Sequence, residues 1–422
     1  MKKEKAVAFN MPAVTEGMPV PDFTEASARV SPLERWLARK TLSLLGDPPL
    51  QMVLWNGEEI TTSSARPAAR VALRHRSALY KLLSNPDLQF GDLYSVGSVE
   101  VEGDLVKFLE IAYGTSAAKF EFLRKFQSHV LNRPRANTLA GSSSNIHHHY
   151  DLSNDFYQLW LDQEMQYTCA YFPSPSMTLE EAQIAKLDHV CRKLQLRPGD
   201  RVVEAGSGWG GLARHMARHY GAKVRSFNIS REQIRYARER AAAEGLSGIE
   251  YIEDDYRNIT GQYDAFVSVG MLEHVGLDHY RELGEVIHRC LTPDGRGLIH
   301  SIGRNKPEPM NAWIEKRIFP GAYPPSLREM MEIFEPHAFS VLDVENLRLH
   351  YAKTLEHWLA RFERHADTVQ TMFDENFVRA WRLYLAGSLA GFTTGWLQLF
   401  QVVFARGDNN TLPWSRAHLY DA

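Results

Sequence analysis

The stretch that most constrains this chain runs from residue 201 to 303, where short apolar runs alternate with helical patterns. "RVVEAG" precedes "LARHMARHYG", "KVRSFNIS" precedes "REQIRYARERAAAEG", and "IEYIEDDY", "YDAFVSVG" and "RGLIHSIG" follow. Strands covered by helices on both faces read as β-branched runs rather than as strict alternation. Strands at this spacing predict an α/β fold with a doubly wound, mostly parallel sheet. No internal repeat or long low-complexity tract competes with that organisation.

The first strand ends in "EAGSGWGG", residues 204–211, which opens a helix and fits GxGxxG through Gly206, Gly208 and Gly211. Such a turn lets a backbone approach a ligand closely, and dinucleotide folds use it for a pyrophosphate. A nicotinamide site also wants an acid about twenty residues on, at the end of the second strand. Here that place holds Asn228. The acid lies inside the motif instead, as Glu204, and Asp254 and Asp255 follow the third strand. A carboxylate two residues before the first loop glycine suits a ligand with an ammonium and a sulfonium to neutralise. That pattern favours S-adenosylmethionine over a nicotinamide, while Trp209 is read as packing.

Outside this core the chain is ordinary for a globular protein, with 44% hydrophobic and 23% charged residues among 422. A formal net charge of −3 excludes a generally basic, nucleic-acid-coating protein. The three cysteines, Cys169, Cys191 and Cys290, form neither a CxxC nor a paired spacing, which points to a reducing, cytoplasmic compartment. The N-terminus carries lysines but no apolar core after them, so no secretory signal is read. "LYLAGSLAGFTTGWLQLFQVVFA", residues 383–405, is long enough to span a bilayer but holds three Gly, two Gln and two Thr. It is read as a helix followed by a core strand.

Residues 1–30 read as a flexible N-terminal arm, 31–132 as a small α+β domain, 133–145 as a linker and 146–422 as the main domain. "SPLERWLARKTLSLLG" predicts a helix capped by Ser31, begun by Pro32 and ended by Gly46. "LYSVGSVEVEGDLVKFLEIAYG" reads as a strand that turns into a helix.

Several motifs together resemble the cyclopropane-fatty-acyl-phospholipid synthase family and the related mycolic acid cyclopropane synthases. They are "HYDLSNDFYQLWLD" (149–162), "MQYTCAYF" (165–172), "EAGSGWGGLA" (204–213) and "SVGMLEHVG" (268–276). "LIHSIG" (298–303), "IFPGAYPPS" (318–326), "HYAKTLEHW" (350–358) and "LQLFQVVFARG" (397–407) complete the set. The resemblance implies a Rossmann-like S-adenosylmethionine methyltransferase domain, preceded by a smaller lipid-binding domain. The implied reaction transfers a methylene to the cis double bond of phospholipid acyl chains through a carbocation, with bound bicarbonate as base. It also implies a homodimer acting peripherally at the inner face of the membrane. A fatty-acyl C-methyltransferase giving a methyl-branched or methylene product, and a non-catalytic lipid-binding relative, are the other readings.

By the same resemblance the cofactor positions are Tyr167, Thr168, Glu204, Gly206, Gly208, Gly210, Asn228, Ile229, Gln233, Tyr256 and Arg257. Tyr256 would stack near the adenine. The bicarbonate positions are Cys169, Glu273, His300, Ile302 and Tyr351, of which His300 and Tyr351 can donate hydrogen bonds. Cys169 is open to three roles, as a pocket wall, an inert core thiol or a nucleophile. A nucleophile needs a nearby cation or helix N-terminus to lower its pKa, and its aromatic sequence neighbours supply neither. Two departures stand out: Ser207 replaces the family's loop cysteine, and Ser388 in "YLAGSLAGF" replaces a cysteine that many relatives carry. Ser388 is read as a packing position near the acyl channel.

The adjacent His147, His148 and His149 do not make a metal site, since consecutive side chains diverge and nothing completes a ligand set at known spacing. Lys119, Arg124, Lys125, Arg133 and Arg135 lie close together, with Glu121 the one acid among them. They read either as a solvated helix face or as a surface attracted to anionic lipid headgroups.

Overall fold

The computed structural model describes residues 29–119 and 152–420. The linker at 133–145, nearly all of the arm, the histidine triplet and Arg124, Lys125, Arg133 and Arg135 lie outside those residues. Packing divides the chain into two compact units.

The first unit begins with α1 (Pro32–Leu44), where Ser31 and Glu34 form a reciprocal capping box and Gly46 follows at φ +86°. Such a cap contributes about 1 kcal/mol. Strands β1 (Leu50–Val53), β2 (Glu59–Ile60), β3 (Ala69–Leu73) and β4 (Val99–Gly103) form a sheet of order β2-β1-β3-β4. Helices α2 (Arg76–Ser84), α3 (Pro86–Ser95) and α4 (Leu105–Lys119) complete the N-terminal part. The strand and helix expected in "LYSVGSVEVEGDLVKFLEIAYG" are β4 and α4, but the strand starts later than read, since Leu93–Ser95 are the end of α3. Pro86 at the helix start and the buried run from Gly91 to Ser95 override its alternating look.

Asn311–Phe319 and Glu363–Tyr384 also belong to this unit, so later chain segments join the small N-terminal domain. Arg317 donates to both carboxylate oxygens of buried Asp92, each at 2.9 Å. Arg379 reaches the Tyr94 carbonyl at 2.7 Å and Glu100 at 3.0 Å. Such long-range ion pairs leave no mark on local sequence pattern.

The second unit holds a sheet of seven strands in the order β10-β11-β9-β8-β5-β6-β7. These are β5 (Arg201–Ala205), β6 (Lys223–Asn228), β7 (Ile249–Glu253), β8 (Tyr263–Val269), β9 (Leu291–Gly303), β10 (Phe339–Asn346) and β11 (Gln398–Arg406). The five strands from β7 to β9 are parallel, and β11 and β10 add an antiparallel edge. Its helices include α5 (Asn154–Gln158), α6 (Leu179–Leu194), α7 (Gly211–Tyr220), α8 (Arg231–Ala243), α9 (Tyr280–Cys290), α10 (Leu327–Phe334) and α11 (Arg348–Arg364). α12 (Ala366–Met372) belongs to the first unit, and α13 (Glu375–Thr393) contributes its start to the first and its end to the second.

Alternate strand residues feed two cores, as period-two geometry requires. Val202, Val224 and Val267 pack with Leu187, Met216 and Ile234 from α6, α7 and α8. Val203 and Phe266 pack with Leu283, Ile287 and Phe334 from α9 and α10. Burying each such side chain contributes about 1.5–3 kcal/mol before entropy is counted. The apolar segment 383–405 is the end of α13 followed by β11, and no described helix is long and apolar enough to cross a membrane.

Candidate active site

The order of the parallel strands reverses between β5 and β8, and a cleft opens at their carboxyl ends, where open α/β sheets bind ligands. It encloses about 1060 Å³ including its open mouth. The turn after β5 builds its floor. Gly206 takes φ +90°, and a Cβ there would stand 3.0 Å from that of Met271. Gly208 also lines the cleft, whereas Gly210 does not. Gly210 caps α7 in the left-handed conformation, where a Cβ would meet the Tyr251 hydroxyl and Ala237. Its role here is close packing of the helix start.

Glu204 is buried, and its Oε2 accepts from the Ser226 hydroxyl at 2.5 Å. Burial pushes its carboxyl up to about 7, against the Ser226 hydrogen bond and the charges of Lys186 and Arg214. Asn228 ends β6, and its amide donates to Gln233 Oε1 at 2.8 Å and the Gly208 carbonyl at 3.3 Å. Ile229 and Gln233 line the same side. After β7, the Arg257 guanidinium lies 5.2 Å above the Tyr256 ring, and both line the cleft beside Asp254 and Asp255. Tyr256 packs into the core as well as lining the cleft. Tyr167 and Thr168 supply the remaining wall. Ser207 lines it too, its hydroxyl donating to the Gly208 carbonyl at 3.2 Å.

A second cluster stands behind that wall, in the turn after β8 and at the end of β9. Glu273 shares its turn with cleft residues Met271, His274 and Val275. Its Oε1 accepts from the Ile302 amide at 2.6 Å, while Oε2 is buried with no partner. Burial raises its carboxyl to about 7. His300 lies two residues before Ile302 on β9, and its carbonyl accepts from cleft residue Gly270 at 2.8 Å. Gln401 on the neighbouring β11 places its amide nitrogen 3.0 Å from His300 Nδ1. Nδ1 then accepts, Nε2 carries the proton, and that Nε2 is buried without a partner. Burial, with the charges of Lys186 and Lys193, holds His300 well below its ordinary pKa, so the ring is neutral.

Cys169 and Tyr351 meet elsewhere. The Leu347 carbonyl accepts from the Tyr351 amide at 3.1 Å and lies 3.9 Å from Cys169 Sγ. The thiol is fully buried, donates to the Ala170 carbonyl at 3.1 Å, and burial pushes its pKa far up. Thiolate chemistry is closed to it, which leaves a wall or core thiol. Tyr351 packs edge-on against Trp358 at 5.9 Å, and Trp358 packs against cleft residue Tyr167 at 5.4 Å.

Sequence reasoning passed over Lys186, Gln166 and Gln401. Lys186 and Gln401 have no exposed surface, and nothing in a local pattern separates a buried lysine on an amphipathic helix from a solvated one.

The profile of the mycolic acid cyclopropane synthetase family matches residues 138–402, and a domain family described only as of unknown function matches 37–124. The chain belongs to the mycolic acid cyclopropane synthetase family. It is 36% identical over 393 residues to a probable fatty acid methyltransferase of Pseudomonas putida, covering 88% of this chain and 96% of that one. It is 42% identical over 269 residues to the cyclopropane-fatty-acyl-phospholipid synthase of Escherichia coli K12, covering 64% and 69%. The crystal structure of mycolic acid cyclopropane synthase CmaA1 complexed with SAH and CTAB superposes with a TM-score of 0.59 at 31% identity, covering 62% and 97%. The cleft is thus that of an S-adenosylmethionine-dependent methyltransferase of this family.

Proposed function

We propose that the protein is a cyclopropane fatty acid synthase acting on the cis double bond of phospholipid acyl chains. The observation that carries this reading is that Glu273 Oε2 and His300 Nε2 are both buried without a protein partner, on residues tied to the end of β9 beside cleft residue Gly270. A buried polar group without a protein partner is normally completed by a water, an ion or a ligand. A neutral Nε2–H donor and a carboxyl that titrates near 7 suit a small oxyanion such as bicarbonate.

S-adenosylmethionine supplies an electrophilic methyl group, and bicarbonate supplies a base inside an apolar site. Methyl transfer to an alkene leaves a carbocation, and ring closure requires loss of a proton from the transferred methyl. Glu204, at the cleft floor, is the group suited to the cofactor's ammonium. His300 donates from Nε2 to an anion, and Gln401 holds the ring in that tautomer. Glu273, fixed by the Ile302 amide, offers its second oxygen as donor or acceptor near neutral pH. The Tyr167–Trp358–Tyr351 aromatic chain links the cleft wall to Tyr351 through apolar packing. A neutral Cys169 does not trap a carbocation.

A fatty-acyl C-methyltransferase is the second reading, favoured by the probable fatty acid methyltransferase that matches 88% of this chain. We place the enzyme in the cytoplasm, in keeping with its three unpaired cysteines. There it would dock peripherally, as a homodimer, on the anionic inner face of the membrane. The test is incubation with S-adenosylmethionine, bicarbonate and vesicles of cis-unsaturated phospholipid, followed by mass spectrometry of the fatty acids. A gain of CH2 with loss of the double bond supports the synthase. A gain with a double bond retained moves the protein to the methyltransferases, and no gain overturns both.

A further inference from the structure

Lys186 has no exposed surface, yet it lies outside every motif that the function absorbs. It projects from the middle of α6 toward the 165–168 segment. Its Nζ donates to Gln166 Oε1 at 2.7 Å and to Thr168 Oγ1 at 2.8 Å. One turn earlier on the same face, Gln183 donates to the Thr168 carbonyl at 2.9 Å. Gln166 and Thr168 both line the cofactor cleft. The segment they belong to is held under strain, since Met165 sits at φ +56° and Asp162 accepts from the Glu164 and Gln166 amides at 3.0 and 2.8 Å. Burying an ammonium costs several kcal/mol, so a lysine serving packing alone would be replaced without loss by an apolar side chain.

We propose that Lys186 is a positioning residue of the cofactor cleft: its buried ammonium fixes the Gln166 and Thr168 side chains that form the wall, and its charge keeps Glu204 ready for a cationic ligand. The proposal rests on the cleft's binding S-adenosylmethionine. The titratable groups around the ammonium are Asp162, Cys169, Glu204 and His300, and Glu204 is also faced by Arg214, by Cys191 of α6 and by Tyr251 of β7. Burial brings Lys186 down to about 8, so it carries its charge at neutral pH. Arg214 is already engaged by Glu164 at 2.5 Å and Glu244 at 3.2 Å. Lys186 is therefore the cation near Glu204 whose charge is less fully compensated. Removing it leaves Glu204 protonated to higher pH, and a neutral carboxyl is a poorer partner for an ammonium.

The test is calorimetric titration of the full-length protein with S-adenosylhomocysteine between pH 6 and 8.5, a range in which the ligand's ammonium and carboxylate stay charged on the acid side. Wild type, Lys186→Met, Lys186→Gln and Thr168→Val are compared, with circular dichroism to show that each is folded. Wild-type affinity should fall on the acid side as Glu204 is protonated. Lys186→Met should bind about tenfold or more weakly at pH 7.5, the scale of a lost charge-assisted hydrogen bond. Its acid limb should also move to higher pH. Lys186→Gln, which keeps a donor without the charge, should show the same displaced limb with a smaller loss, and serves if the methionine variant does not fold. Thr168→Val should weaken binding with the limb in place. Wild-type affinity in either lysine variant, or a loss equal at every pH, overturns the proposal. No binding by wild type overturns the cofactor reading itself.

Discussion

Two buried glutamates, Glu204 and Glu273, are pushed by burial to nearly the same pKa, about 7, yet their surroundings differ. Glu204 has a hydroxyl donor and two cations, Lys186 and Arg214, pulling it toward the ionised form. Glu273 has backbone amides and the Ser301 hydroxyl beside it, but no cation. Desolvation alone therefore fixes neither role. Both carboxyls titrate near 7, but the cations beside Glu204 favour its ionised form and so suit it to meet a cationic ligand, whereas Glu273 gains or loses its proton with no cation beside it.

The sharpest way to break that distinction is Glu273→Gln. The amide keeps an oxygen for the Ile302 amide but cannot exchange a proton. kcat should fall by about 10²–10³, the usual loss when one polar group holding a reacting anion is removed, with S-adenosylhomocysteine affinity unchanged. Steady-state kinetics beside calorimetry check it, and a loss confined to affinity would erase the contrast. Glu204→Gln should do the reverse. It should weaken cofactor binding by about 2–3 kcal/mol, or roughly 30–150-fold, because a desolvated charge pair loses one partner. kcat at saturating cofactor should change much less.

The ease of reading these regions from sequence follows the same divide. Glu204 and the glycine loop sit within eight consecutive residues at a strand end, and their geometry is local. Positive φ at Gly206, the cap at Gly210 and the continuous burial of β5 after Arg201 all follow from neighbours in the chain. Glu273, His300 and Ile302 entered through motif resemblance, and no spacing rule joins a turn after one strand to an amide on another. Gln401 and Lys186 stayed invisible because their partners are 101, 20 and 18 residues away. The alternating "LYSV" misled for a related reason, since burial from Gly91 to Ser95 came from packing rather than from a strand's two faces.

pH sharpens the comparison further. Glu204 has its folded pKa raised from 4.5 to about 7, so its contribution to stability is present below 4.5 and lost as pH rises through 7. The free protein thus bears the cost of a buried carboxylate at pH 8, and a cationic ligand offsets it. The rise in Tm caused by saturating S-adenosylhomocysteine should be larger at pH 8 than at pH 6, by a few °C, and differential scanning fluorimetry reads it. In Glu204→Gln the two rises should be equal.

Gln401→Leu tests the support beneath His300. It removes the donor to Nδ1 and frees the ring to take the other tautomer. kcat should drop about tenfold, an outer partner's usual share, with cofactor affinity intact. The 15N shifts of the His300 ring should report a mixed tautomer where wild type reports protonation at Nε2 alone. A wild-type spectrum from the variant would show that burial, not Gln401, sets the tautomer.

The smallest effect is expected at Ser388, the position where many relatives carry cysteine. It lies half-buried on α13 and is not among the residues that line the cleft, although Phe392, one turn on, packs against Tyr351 at 4.5 Å. The reaction as argued needs no thiol, because the one cysteine among the proposed site residues, Cys169, is fully buried and held protonated. Exchanging a hydroxyl for a thiol at a half-buried helical position typically changes stability by no more than about 0.5 kcal/mol. Ser388→Cys should leave kcat within about twofold of wild type. A tenfold gain would mean that a thiol takes part after all. It would also mean that the contrast between Glu204 and Glu273 misses a third chemical group.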